Sequence, residues 1–485
     1  MNKKVRCALL ITGAILLSCG LSAQTSPPWS AETIQQLKQI HQAALQDDYA
    51  YQQAAHLTDN IGPRLAGSPQ AAAAVQYVAD EMRKLGLDVR LEKVTVPHWV
   101  RGEEHAELVS YPGQVAGIGQ KVVVTALASL NCATSPEGIT ADVVVVNNFD
   151  ELSALPREKV QGKIVVFNVP FDEKLAMAGF PLEAYGQAVA YRERGRLEAA
   201  RQGAVAALIR SVGGANFRLP HTGETGYDPK LPGIPAGAVT AEDAALLARL
   251  TVQGPVRIHL VLTPKMLGEV ETYNVVADLR GSKHPEQVVI VSGHIDSWDL
   301  GTGALDDAAG VAVAMQTAQV LKQLKLQPER TIRVVAWMAE EIGVFGGRAY
   351  AKQHAAEVGS HFAAIETDLG AGHAMGINVC CDDVLKTLQP VSDVLLSSGA
   401  GVLRQSDDTG ADIIPLRIAG VPTFSPMQDA RTYFDYHHTA ADTLDKIDPQ
   451  QLRENAAVVA VLAYALANMQ TELPRKPQPV PDWMK

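Results

Sequence analysis

Imidazole and carboxylate side chains follow several strand-like apolar runs of this 485-residue sequence. In chain order they are His294 and Asp306 after the run 288–293, Glu340 and Glu341 after the run 332–338, Asp368 after the run 362–367, and His438 in a later loop. Histidine nitrogens and carboxylate oxygens are typical ligands of zinc. Because parallel strands end at one edge of a sheet, we expect the first three groups to meet there, where the His438 loop can join them.

The candidate ligands outnumber those that one tetrahedral zinc ion needs. Two imidazoles and three carboxylates suit two ions that share a bridging carboxylate. The adjacent pair Glu340 and Glu341 is informative, because one carboxylate can bind metal while its neighbour stays free as a general base. Asp296, two residues after His294, is placed to accept the second imidazole N–H and so to fix the ring.

The elements that must position these residues alternate between strands and helices. After residue 267 the pattern predicts strands at 288–293, 331–338 and 362–368 and helices at 308–324 and 345–354. Strands separated by helices of this length indicate right-handed crossovers and a mostly parallel α/β sheet flanked by helices. Residues 118–266 instead contain short β-branched strands between Gly, Pro and Asn, and we interpret them as an inserted β-rich domain.

The start of the chain indicates export. Residues 1–23 have a basic start, a short apolar run and small residues before Ala23, which is typical of a secretory signal peptide. A periplasmic or secreted protein is therefore expected. The alternative is a membrane-anchored lipoprotein with a lipid on Cys19, because residues 16–19 resemble a bacterial lipobox. The remaining predicted boundaries are 24–117 and 267–475 for the two parts of the α/β domain, 118–266 for the insert and 476–485 for a loose tail.

Composition excludes some classes of function. The formal net charge of −11 disfavours a nucleic-acid partner and provides no basic face for anionic lipid. Only Cys132, Cys380 and Cys381 follow the predicted signal peptide, which is too few for a disulfide framework in a chain of this length. With 47% hydrophobic residues, the mature chain is long enough to bury a large core and to form two domains.

Five ordered motifs resemble those of the M28 family of di-zinc exopeptidases. They are residues 293–298 (GHIDSW), 303–310 (GALDDAAG), 339–343 (AEEIG), 366–368 (ETD) and 438–443 (HTAADT). The carboxypeptidase Q branch of the family is the most similar, and residues 410–413 and 437–439 also resemble it. The insert resembles the protease-associated domain that many of these enzymes carry, most clearly at residues 160–165 (VQGKIV).

The resemblance implies a centre of two zinc ions. The implied ligands are His294, Asp306 and Asp368 for one ion, with Asp306 bridging to a second ion that is completed by Glu341 and His438. Glu340 is implied as the general base that takes a proton from a metal-activated water. The resemblance also implies a cis peptide bond between Asp306 and Asp307, with Asp307 in a structural role.

Three further residues are candidates for substrate contact. His437 lies where relatives often have a tyrosine that faces the reaction intermediate, so its role stays open. Asp412 can line the pocket or belong to a solvated turn. Arg431 precedes the His438 loop and can receive a substrate carboxylate, although most arginines pair on a surface.

The ligand set and the resemblance together indicate an exported di-zinc exopeptidase that hydrolyses dipeptides or short peptides with free termini. An aminopeptidase acting on longer peptides and a carboxypeptidase are the alternatives within this class. A non-catalytic receptor and a cyclising enzyme of the glutaminyl cyclase kind are alternatives on the same scaffold, and the presence of Glu340 argues against the receptor. Side-chain specificity does not follow from the sequence, and a homodimer is an expectation from the family alone.

Overall fold

Two eight-stranded sheets organise the fold. The structure is a computed structural model that describes residues 28–214, 217–481 and 484. The predicted signal peptide and the alternative lipid anchor at Cys19 lie outside the described residues. The strands are β1 (Asp88–Val100), β2 (Glu104–Ser110), β3 (Gln120–Val122), β4 (Val124–Ala126), β5 (Ile139–Val146), β6 (Ile164–Phe167), β7 (Ala206–Arg210), β8 (Ala236–Val239), β9 (Arg257–Leu262), β10 (Lys265–Leu279), β11 (His284–His294), β12 (Arg330–Trp337), β13 (His361–Glu366), β14 (Ala374–Val379), β15 (Val402–Gln405) and β16 (Thr423–Gln428).

Several helices begin at a residue whose side chain caps the first turn. Ser30, Ser68 and Thr240 each accept a hydrogen bond from the backbone N–H three residues later, which satisfies an otherwise unpaired donor. The α-helices are α1 (Ala31–Ala44), α2 (Tyr49–Ala55), α3 (Pro69–Lys84), α4 (Phe149–Ala154), α5 (Glu173–Met177), α6 (Pro181–Arg201), α7 (Ala241–Gln253), α8 (Ala309–Gln323), α9 (Phe345–Gln353), α10 (Asp382–Leu385), α11 (Gln389–Leu395), α12 (Ile414–Ile418), α13 (Tyr433–Tyr436) and α14 (Pro449–Ala467). Short π or 3₁₀ turns lie at His56–Ile61, Arg157–Lys159, Ala304–Ala308, Ala355–Ser360, Leu396–Ser398 and Leu444–Lys446.

The first sheet has the strand order β1-β10-β12-β11-β13-β16-β14-β15. Its centre is the parallel set β12, β11, β13 and β16, as the alternation of strands and helices predicts. β1 and β10 extend one edge as antiparallel neighbours, and β14 runs antiparallel to β16. The α/β fold class predicted from the sequence is therefore confirmed, with antiparallel strands added on both sides of the parallel centre.

Two apolar helices cover the parallel centre. α8 consists mainly of Ala and Val and is almost entirely buried, because its small side chains allow close packing on β11 and β12. α14 is buried from Ala456 to Ala467 and packs against α1, α8 and β11. A helix that is apolar on all faces is typical of the core of a large protein. Among the described residues, none of the helices has both the length and the apolarity needed to span a bilayer.

The second sheet has the strand order β3-β2-β9-β5-β6-β7-β8-β4. β2 pairs with β3 and β9, so this sheet begins at Glu104, earlier than the boundary predicted at residue 118. The alternating burial of β2 was readable from the sequence, but its partner strand was not. The chain returns to the first sheet between Leu262 and Lys265, close to the boundary predicted at residue 266. Helices α4 to α7 also belong to this segment, so the predicted β-rich insert combines an eight-stranded sheet with helices.

Candidate metal centre

Three neighbouring strands deliver the predicted ligands to one edge of the first sheet. His294 is the last residue of β11, and β12 and β13 flank β11 in parallel register. Glu340 and Glu341 follow the end of β12, and Asp368 follows the end of β13. The side chains meet because parallel strands of similar length finish at the same level of the sheet.

Asp306 lies between the two histidines of the cluster. Its Oδ1 atom is 3.1 Å from His294 Nε2, and its Oδ2 atom is 3.4 Å from His438 Nε2. Asp368 Oδ1 is 3.4 Å from His294 Nε2, and Glu341 Oε2 is 2.9 Å from His438 Nε2. The structure therefore brings together all five residues that the sequence singled out as ligands, with one carboxylate in a position suited to sharing between two ions.

The chemistry of this donor set fits divalent cations. Asp306 Oδ2 and Glu341 Oε1 are buried and have no hydrogen-bond partner among the described residues. Burial and repulsion from Asp306 raise the pKa of Glu341 well above its ordinary value. Buried, unpaired carboxylates are costly unless a cation compensates them, so the cluster is better suited to holding metal than to forming a hydrogen-bonded corner.

The charges of the cluster shift the titration of its other members. Burial alone lowers the pKa of His294, but the adjacent Asp368 and Asp306 carboxylates raise it well above its usual value. Burial together with repulsion from Asp368 and Asp306 raises the pKa of Glu340 well above its ordinary value. Strongly shifted groups that share a cleft are typical of functional sites.

The turn that carries Asp306 is fixed by buried backbone hydrogen bonds. The peptide bond between Asp306 and Asp307 is cis, as the family resemblance implies. Asp307 accepts hydrogen bonds from the backbone N–H groups of His294, at 3.0 Å, and Gly310, at 2.8 Å. These contacts join the end of β11 to the start of α8, which supports the interpretation of Asp307 as structural.

Asp442 is a second support for the same turn, and the sequence reasoning did not single it out. Its Oδ1 atom accepts from the N–H groups of Ala304 and Leu305 at 3.0 and 2.7 Å, and its Oδ2 atom accepts from the N–H of Asp306 at 3.2 Å. Asp442 is fully enclosed and belongs to the motif at residues 438–443. Its place in that motif is the sequence feature that could have identified Asp442 as a functional residue.

Asp296 does not contact His294 as predicted. His294 Nδ1 is 3.1 Å from the backbone oxygen of Asp296, whereas the Asp296 carboxylate is 3.8 Å away. That carboxylate instead accepts a hydrogen bond from the backbone N–H of Glu340 at 3.1 Å. The prediction found the right residue but the wrong oxygen, because the chain turns directly after β11 and brings the main chain to the ring. Asp296 therefore helps to place the Glu340 turn.

The two adjacent histidines both face the cluster. Their rings stack with centroids 3.6 Å apart, and His437 Nε2 is 3.6 Å from Asp306 Oδ2. His438 Nδ1 is 3.1 Å from the backbone oxygen of Thr222, which fixes its ring so that Nε2 faces Glu341. Ligand atoms of Asp306, His437 and His438 lie within 4.8 Å of one another, so His437 is an additional candidate ligand whose role the sequence left open.

Two predicted substrate residues lie outside the cleft. Asp412 is fully buried, and neither of its carboxylate oxygens has a hydrogen-bond partner among the described residues, so it is not part of a solvated turn. Arg431 is half-exposed and pairs with Asp429. This geometry does not support the predicted contact of Arg431 with a substrate carboxylate, because a spacing of two residues lets it pair locally with the acid before it.

A cleft of about 1050 Å³ opens above the cluster and has two walls. Residues of the first sheet form the metal wall, which includes Asp306, Glu340, Glu341, Asp368, His437 and His438. The opposite wall is formed by the second region, which is the segment from Glu104 to Leu262 that carries the second sheet. This wall includes Tyr185, Arg192, Arg194, Glu224 and Tyr227. The sequence reasoning missed this opposite wall, because its residues lie on α6 and in an irregular loop and follow no strand.

Arg192 connects the opposite wall to the metal wall. It is buried, and its Nη1 atom lies 3.3 Å from His438 Nδ1. Its guanidinium packs on Gly223, which has a φ of +147°, and a Cβ atom there would lie 2.7 Å from Arg192 Cζ. Only glycine fits this close approach, so the loop is shaped around the arginine.

Comparisons with known proteins agree with this geometry. A sequence profile described as Peptidase family M28 matches residues 274–463. The chain is 37% identical over 439 residues to carboxypeptidase Q of Bos taurus and 40% identical over 431 residues to that of Rattus norvegicus; each match covers 88% of this chain and 87% of the relative.

Solved structures give the same result. A crystal structure of a peptidase M28 precursor from Shewanella amazonensis is 38% identical, has a TM-score of 0.85, and is matched over 92% of this chain and 99% of that chain. BSAP, a zinc aminopeptidase from Bacillus subtilis, is 21% identical with a TM-score of 0.62, over 90% of this chain and 98% of that chain. The second match shows a shared fold.

Proposed function

The chain belongs to peptidase family M28 and is a metallo-exopeptidase, and we propose that it hydrolyses dipeptides or short peptides with free termini. The observation that carries the proposal is the position of Asp306 between His294 and His438, at a sheet edge shared with Glu340. A carboxylate placed to be shared by two ions, here Asp306, suits activation of a water molecule. A neighbouring acid that binds no metal, here Glu340, suits the proton transfer that amide hydrolysis needs.

We propose two zinc ions as the cofactor. His294, Asp306 and Asp368 would hold one ion, and Asp306, Glu341 and His438 would hold the other, with His437 beside the second site. Mixed imidazole and carboxylate ligands favour zinc over calcium or magnesium. When bound, the ions supply the Lewis acidity that lowers the pKa of a water and polarises the scissile carbonyl.

Glu340 is proposed as the general base. Its side chain lines the cleft beside the cluster, and its backbone N–H is held by Asp296. Burial and the nearby carboxylates raise the pKa of its carboxyl, and a raised pKa makes a carboxylate a stronger base. Glu340 would take a proton from the attacking water and pass it to the amine that leaves.

Two supporting residues would keep this arrangement in place. Asp442 holds the turn that presents Asp306, and Thr222 holds the ring of His438. Outer contacts of this kind orient ligands and tune their affinity for metal. Export is part of the proposal and is supported by the predicted signal peptide, while a homodimer and a lipid anchor at Cys19 stay predictions.

Hydrolysis of one dipeptide in four forms tests the proposal. The forms are the free dipeptide, its N-acetylated form, its C-amidated form, and the free dipeptide with a zinc chelator. We expect loss of cleavage in all three modified conditions, because the enzyme reads both termini and needs its metal. Loss on acetylation alone would indicate an aminopeptidase that accepts longer chains, and loss on amidation alone would indicate a carboxypeptidase. Unchanged cleavage with the chelator would contradict the metal centre.

A further inference from the structure

Glu224 extends from the opposite wall towards the turn that follows the glutamate pair. Its Oε2 atom lies 3.8 Å from the position that a Cβ atom on Gly343 would occupy. Gly343 comes two residues after Glu341, so the Glu224 carboxylate borders the metal wall although it belongs to the second region. Among the described residues, the Glu224 side chain has no hydrogen bond or ion pair.

The Glu224 carboxylate is open to the water of the cleft but is not fully hydrated. Partial burial in the cleft raises its pKa to about 7, even though Arg192 and Arg348 act in the opposite direction. Arg192 packs against Gly223, and its Nη1 atom lies 3.3 Å from His438 Nδ1. A positively charged group placed beside Glu224 in the cleft would favour the ionised form of its carboxyl group.

Arg348 presents the opposite charge from the metal wall. It lies in the first turn of α9, where its backbone N–H donates to Val344, the residue after Gly343. Its side chain is exposed and lines the same cleft, and it has no ion pair or hydrogen bond among the described residues. Among the described residues, the side chains of Glu224 and Arg348 thus line one cleft from its two walls, each without an ion pair or hydrogen bond.

Another pair of charges in the cleft provides a comparison. Arg194 lies over the ring of Phe149 with its Cζ atom 5.1 Å from the centroid, and Glu193 precedes it on α6. Both line the cleft, but both belong to the opposite wall. The Glu224 carboxyl lies beside Gly343, and the backbone of Arg348 bonds to the next residue of the same turn, Val344.

We propose that Glu224 binds the α-ammonium group and Arg348 the α-carboxylate of a short peptide, an inference that rests on the proposed function. A carboxylate is the natural partner of an ammonium ion, and a guanidinium pairs with a carboxylate through two parallel hydrogen bonds. A peptide satisfies both groups only when its two termini reach them together. The pair therefore selects short substrates.

The test compares the Glu224→Gln and Arg348→Met variants with the wild type on the free, N-acetylated and C-amidated dipeptide. In the wild type we expect kcat/KM to fall roughly tenfold to a hundredfold for each blocked terminus, the usual size of a hydrogen bond to a charged group. Glu224→Gln should remove the penalty for acetylation and keep the penalty for amidation. Arg348→Met should do the reverse.

Matched controls are Glu193→Gln and Arg194→Met, which remove the same charges from the same cleft and should preserve both penalties. The inference is overturned if Glu224→Gln still discriminates against the acetylated form, or if both variants slow all three substrates equally, as two residues that pair with each other would do. A wild type that cleaves no dipeptide contradicts the proposed function itself. If the wild type and both variants discriminate equally against the blocked dipeptides, only the assignment of Glu224 and Arg348 is contradicted.

Discussion

The two walls of the cleft are built in different ways. On the metal wall, the Asp306 turn is held by backbone hydrogen bonds to Asp442 and Asp307, and its side chains are enclosed. On the opposite wall, Arg192 is buried but Glu224 is open to water. The comparison indicates that the groups closest to the reaction are fixed by the main chain, whereas the groups proposed to meet the termini of a substrate are side chains exposed to solvent.

The contribution of the metal wall to stability can be tested at Asp442. In Asp442→Asn, an NH2 group replaces one carboxylate oxygen. This donor then faces backbone N–H groups, which are also donors. We expect the free energy of unfolding to fall by about 2–3 kcal/mol, because a buried acceptor of a backbone N–H group is lost. Chemical denaturation measures this change. Asp445→Asn, which removes an exposed acid three residues later, is the control and should change stability by less than about 0.5 kcal/mol.

The opposite wall can be tested at Arg192. Replacing Arg192 by methionine removes the contact with His438 but keeps a long side chain beside Tyr185. His438 Nδ1 already donates to Thr222, so Arg192 Nη1 cannot also donate to it and acts on this ligand as a nearby positive charge. Removing that charge should raise metal affinity by up to roughly tenfold and change kcat/KM. Competition with a chelator of known affinity measures the first quantity. If both quantities stay at the wild-type value, Arg192 serves the packing of the wall and not the metal centre.

A position outside both walls tests how stability depends on pH. His361 lies at the opposite end of β13 from Asp368, and its Nε2 atom is 2.8 Å from the Tyr350 hydroxyl, which accepts from Arg333. Burial lowers the pKa of His361 to about 4. Between pH 6.5 and 4 the unfolded chain binds more protons at this site than the folded chain, so stability falls as the pH falls.

We expect this histidine to contribute up to about 3 kcal/mol of the loss of stability across that range. His361→Gln should therefore be less sensitive to acid than the wild type when both are melted without metal at pH 6.5 and pH 4.5. Parallel decreases in melting temperature would contradict the assignment.

The metal wall could be predicted from the sequence because each ligand candidate follows an apolar strand. That rule placed His294, Asp306, Glu341 and Asp368 together, and the motif at residues 438–443 added His438. It could not decide between the side-chain and backbone oxygens of Asp296, since that choice depends on a turn of the main chain.

The opposite wall could not be predicted in the same way. Arg192 lies within a long helix and Glu224 within an irregular loop, and neither position has a spacing that indicates a cleft. The arginine that the sequence did suggest, Arg431, pairs with its own neighbour. Contacts between distant segments decide such positions, and a local pattern contains no information about them.

The most direct test of the central claim is hydrolysis by Glu340→Gln together with its metal content. The substitution keeps the size of the side chain and removes its ability to accept a proton. We predict that turnover falls by several orders of magnitude while metal analysis still finds two zinc ions per chain. Turnover near the wild-type rate in a variant that keeps its metal would contradict the role of Glu340, and with it the account of how this cleft hydrolyses peptides.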